Sequence, residues 1–82
     1  MVAQEDINRD LESRAARFVV LFNEALIDGK TPDDARDEAR YEDEYEAMAD
    51  ASRGYGPLVT TDAVEQRARE LLADAEVQIP EA

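Results

Sequence analysis

Phe18-Val19-Val20-Leu21-Phe22-Asn23-Glu24-Ala25-Leu26-Ile27 is the only strongly apolar run in an otherwise acidic, alanine-rich chain. It holds both phenylalanines and five large aliphatic residues, so any core must be built on it. Followed towards the amino terminus, the apolar positions Ile7, Leu11, Ala15, Phe18, Phe22, Ala25 and Leu26 recur at spacings of four and three. At about 100° per residue they form one stripe, with Val19 at its edge. Arg14, Arg17 and Glu24 are read as lying off that stripe. Gly29 supplies the stop, because glycine enters a left-handed cap without a steric penalty. The pattern predicts a helix over about 6–28.

Val20 and Ile27 do not fit the stripe. They stand one seven-residue repeat apart on the opposite side, with Ala16 beside them. Either a third helix covers this side, or it is a second apolar seam for a partner helix or for a second copy that completes the core.

Towards the carboxy terminus, Thr31-Pro32-Asp33-Asp34 reads as a helix start. Thr31 can cap, Pro32 sits where its missing N–H does no harm, and the aspartates face the positive end of the dipole. A second helix is expected over about 32–51. Tyr41, Tyr45 and Met48 share one edge and Ala35 and Ala39 another, and the two tyrosine rings are expected to lie half-buried against the first helix. Ser52-Arg53-Gly54-Tyr55-Gly56-Pro57 breaks the periodicity and opens a Gly/Pro loop over 52–60, with Leu58 and Val59 returning to the core. Thr60 or Thr61 with Asp62 then starts a third helix, about 62–76, on the face Val64, Ala68, Leu71, Leu72 and Ala75. Residues 77–82 form a short tail, docked or loose. The expectation is a single all-α domain over 1–82, a small three-helix bundle.

Composition narrows the chemistry. The chain has no cysteine and no histidine, which removes disulfides, thiolate metal sites and the usual general base near pH 7. Ser13 and Ser52 have nothing to activate them, and Lys30 is the lone lysine. The nearest approach to a calcium loop, Asp50-x-Ser52-x-Gly54, has Tyr55 where glycine is required and Thr61 where a bidentate glutamate is required. No enzyme activity, cofactor or metal is expected. The apolar run near residue 20 is too short to span a bilayer, no secretory leader is recognisable, and the expected location is the cytoplasm.

The net charge of −12 repels phosphate, so direct binding to nucleic acid or to an anionic membrane is not expected. A high-salt habitat or a GC-rich genome accounts for acidity in bulk but less well for its clustering. Asp33, Asp34, Asp37, Glu38, Glu42, Asp43, Glu44, Glu46 and Asp50 fall on one helix, with only Arg36 and Arg40 against them. That is roughly one net negative charge per 4 Å of helix, close to the spacing of about 3.4 Å between phosphates on one DNA strand. The expectation is an acidic helical binding module, an inhibitor that engages a basic nucleic-acid-binding protein or complex with this surface, joined by Arg53 and Tyr55 from the loop. A phage-type antagonist of a host defence complex is an example drawn from size and charge. The alternative is an assembly subunit that uses Val20 and Ile27 for self-association or docking.

Overall fold

The computed structural model describes residues 3–54 and 58–81. It is a three-helix bundle: α1 (Gln4–Ile27), α2 (Pro32–Ser52) and α3 (Thr61–Leu71), with no strand among the described residues. Helix α1 has 24 residues, about 36 Å at 1.5 Å per residue, and so runs along most of the 41 Å long axis. Both other helices pack closely on it, whereas α2 and α3 meet chiefly through polar side chains. The core is correspondingly centred on α1.

Each boundary has a cause. Helix α1 ends in a Schellman turn: Lys30 N–H donates to the Ala25 carbonyl and Gly29 N–H to that of Leu26, both at 3.0 Å, with Gly29 at φ +94°. Helix α2 starts where the Thr31 hydroxyl accepts from Asp34 N–H, with Pro32 in the first turn. Thr60 does the same for α3, accepting from Ala63 N–H at 3.1 Å. Of the two threonines suggested by the sequence, Thr60 is therefore the cap.

Helix α3 stops five residues before the expected end. Tighter turns follow it, with Ala73 N–H on the Glu70 carbonyl and Ala75 N–H on that of Leu72. The Gln78 amide nitrogen then reaches the carbonyls of Leu72, Ala73 and Ala75 at 2.7, 3.1 and 2.7 Å. This reversal docks the tail. Ile79 is buried in the core, its carbonyl accepts from Arg69 Nε, and the Pro80 carbonyl accepts from Arg69 Nη2 and Arg36 Nη1.

Phe18, Phe22, Val64 and Ile79 supply the bulk of the core, and Ala15, Ala25, Ala35, Ala39 and Ala68 fill the rest. Leu11, Val19, Leu21, Leu26, Val59 and Leu72 close its margins. Two expectations about helix orientation are corrected. Helix α2 turns Ala35 and Ala39 inward and leaves Tyr41, Tyr45 and Met48 65, 62 and 71 % exposed, because small side chains let it lie close to the phenylalanines. No third helix covers the far side of α1: Val20 is 52 % and Ile27 84 % exposed. Leu58 and Leu71, expected to turn inward, are left partly exposed.

Candidate functional site

The acidic helix is not a uniform row of free carboxylates. Asp43 continues the Ala35–Ala39 spacing and is buried, with Arg14 of α1 beside it. Arg14 Nε donates to Asp43 Oδ1 at 3.0 Å and Nη2 to Oδ2 at 2.7 Å, while Nη1 donates to Asp10 and to the Val59 carbonyl. The Thr61 hydroxyl, at the start of α3, donates to Asp43 Oδ2 at 2.7 Å. The Arg14–Asp43 pair thus ties together α1, α2, the loop end and α3. Arg14 belongs to the inner side of α1, contrary to its expected place off the stripe. Its two acidic partners, Asp43 foremost by hydrogen bonding, hold its pKa above the ordinary arginine value despite the opposing effect of burial.

A second buried carboxylate, Glu65 of α3, accepts from Arg40 of α2 and from Arg69 one turn on. Arg40 is raised above its ordinary value, chiefly by that hydrogen bond. Arg36, Asp37, Arg40, Asp62 and Glu65 line a shallow surface depression in which the charges are already matched.

Most of the remaining acids of α2 are also drawn onto the chain's own cations. Arg36 sits beside Asp33 and Asp37, Lys30 bonds Glu38, and Arg17 approaches Glu42 and Glu46 at 4.0 and 3.5 Å. Arg40 also reaches Glu44, and Arg53 pairs with Asp50. Of the carboxylates singled out in the sequence, Asp34 alone has no ion pair among the described residues. The proposed contact through Tyr55 lies outside the described residues, and Arg53 is exposed at the end of α2.

On the solvent side of α2, at positions i, i+4 and i+7, stand Tyr41, Tyr45 and Met48. The tyrosine rings stack with centroids 6.4 Å apart and planes inclined by 26°. At about 100° per residue, Asp34, Asp37, Glu38 and Glu44 fall around this strip, which is therefore an aromatic and thioether patch with an acidic rim. It combines contact area and charge on one helix. The spacing of these three residues was visible in the sequence; the side of α2 they would occupy was not.

Among the described residues no cluster of three or more acids could hold a metal ion, and no helix is long and apolar enough to cross a membrane. No protein-family model, curated protein or solved structure matches the chain.

Proposed function

We propose that this protein is a non-enzymatic acidic binding module that docks on a basic protein surface, of the kind nucleic-acid-binding proteins carry, through the outer face of α2. The observation that carries this reading is the exposure of Tyr41, Tyr45 and Met48 on an acidic helix, stacked and unsheltered by the rest of the fold. Tyrosine brings contact area at low entropic cost, and its ring face attracts arginine and lysine. The net charge of −12 attracts the partner over longer range and favours approach of a basic surface. Internal pairing of most α2 acids favours this division of labour over a phosphate-like ladder, since a ladder needs its charges unneutralised.

The test is affinity capture from the native host lysate, at low and moderate salt, with wild type, Tyr41→Ala/Tyr45→Ala and Asp37→Lys/Glu44→Lys. A basic partner retained by wild type, weakened by salt, lost with the tyrosine variant and reduced with the charge variant supports the reading. A partner held equally by all three would place the working surface elsewhere.

A further inference from the structure

We infer that α1 is also a dimerisation helix, pairing antiparallel with α1 of a second copy through the face opposite the core; this is independent of the reading of α2. Ser13, Ala16, Val20, Asn23 and Ile27 are all exposed and follow the three-four alternation of a coiled-coil seam. In a chain of net charge −12, this seam holds no charged residue over 15 positions. A second, equally acidic copy meets no like charge along the seam itself.

The flanks say which way the copy runs. Arg17 and Glu24 occupy the same edge of the seam, one heptad apart. In an antiparallel pair like edges face each other, so Arg17 of each copy meets Glu24 of the other, twice by symmetry. Glu24 has no ion pair within the chain among the described residues, and Arg17 is part-exposed with its own acids at 3.5 and 4.0 Å. A two-fold axis between Val20 and Asn23 sets Ile27 against the other copy's Ala16, large against small, and Val20 against Asn23. It also keeps the acidic first turns, with Glu5 and Asp6, clear of each other. A parallel pair would bring those turns together and leave Glu24 facing Val19.

Sedimentation equilibrium across a concentration series tests this, with circular dichroism confirming that each variant keeps its helix content. Wild type is expected to move from monomer to dimer. Val20→Asp should remain monomeric, and Glu24→Arg, which breaks no ion pair inside the chain among the described residues, should weaken association at least about tenfold. Adding Arg17→Glu to Glu24→Arg should restore it, and Asn23→Leu should tighten it by removing a buried polar group. Wild type that stays monomeric up to about 1 mM, or a Val20→Asp variant that dimerises as wild type does, would overturn the inference. Failure of the double exchange to restore association would overturn the antiparallel arrangement.

Discussion

Arg14 and Asp43 face each other as a two-point fork, 3.0 and 2.7 Å long, in the place where the fold would otherwise bury another apolar side chain. Their side chains are only 16 and 6 % exposed. Removing Asp43 would take the acceptor from two nitrogens of the buried Arg14 fork and from the Thr61 hydroxyl, with only the partly exposed Asp10 left as counter-charge. Asp43→Ala should therefore cost about 3–5 kcal/mol, a large part of the total stability of about 5–15 kcal/mol usual for a domain. Urea unfolding followed by circular dichroism measures it. Replacing the unit together, Arg14→Met/Asp43→Leu/Thr61→Val, should recover most of the loss; if Asp43→Ala shifts the midpoint hardly at all, the ion pair does not organise the fold.

Ile79 lies beyond the last helix yet belongs to the core. Ile79→Ala is expected to cost about 2–5 kcal/mol, the usual range for emptying a buried aliphatic site. Thermal unfolding of this variant beside Val77→Ala, an exposed neighbour, separates docking of the tail from a general effect of truncation.

Tyr41→Ala and Tyr45→Ala should change stability by no more than about 0.5 kcal/mol each, as exposed substitutions usually do. The same changes should weaken partner binding at least about tenfold, read by calorimetric titration once the partner is in hand. A stability loss of several kcal/mol would mean that the rings support the fold after all.

Lys30 bonds Glu38, and that bond, then attraction to Glu38, Asp28 and Asp34, holds its ammonium above the ordinary value of 10.5. Because the folded pKa is the higher one, whatever this contact contributes is fully present below the unfolded value. It is lost as pH rises through the folded value. The turn should thus be insensitive to pH from about 6 to 9 and loosen only in stronger alkali. Glu38→Gln should lower the Lys30 midpoint in an NMR titration.

What the sequence disclosed follows from how strongly each residue declares its side. Phe18, Phe22 and their periodicity place α1 unambiguously, and Thr31, Pro32 and Gly29 mark its junction with α2. Helix α2 was harder because its large side chains point outward. Hydrophobicity alone ranks Tyr41, Tyr45 and Met48 above Ala35 and Ala39, but close approach to α1 favours alanine. Asp43 continues the inward spacing of 35 and 39, a hint that a carboxylate was destined for the interior; its partner, 29 residues earlier, is a long-range fact that local periodicity does not carry. The same holds for Glu65 and Arg40, and for the tail, whose return depends on three carbonyls meeting Gln78.

Helix α2 gives the core only Ala35, Ala39 and Asp43, while α1 gives two phenylalanines and α3 with its tail gives Val64 and Ile79. Segments with little apolar burial open locally at a fraction of the global free energy. Amide hydrogens of α2 beyond Asp43, a stretch with no buried residue, should accordingly exchange with solvent well before those around Phe18 and Phe22, through excursions that leave α1 and α3 in place. The helix with the aromatic strip is then the first to let go, and a partner bound there would slow exchange along its whole length, as a clasp supplied from outside.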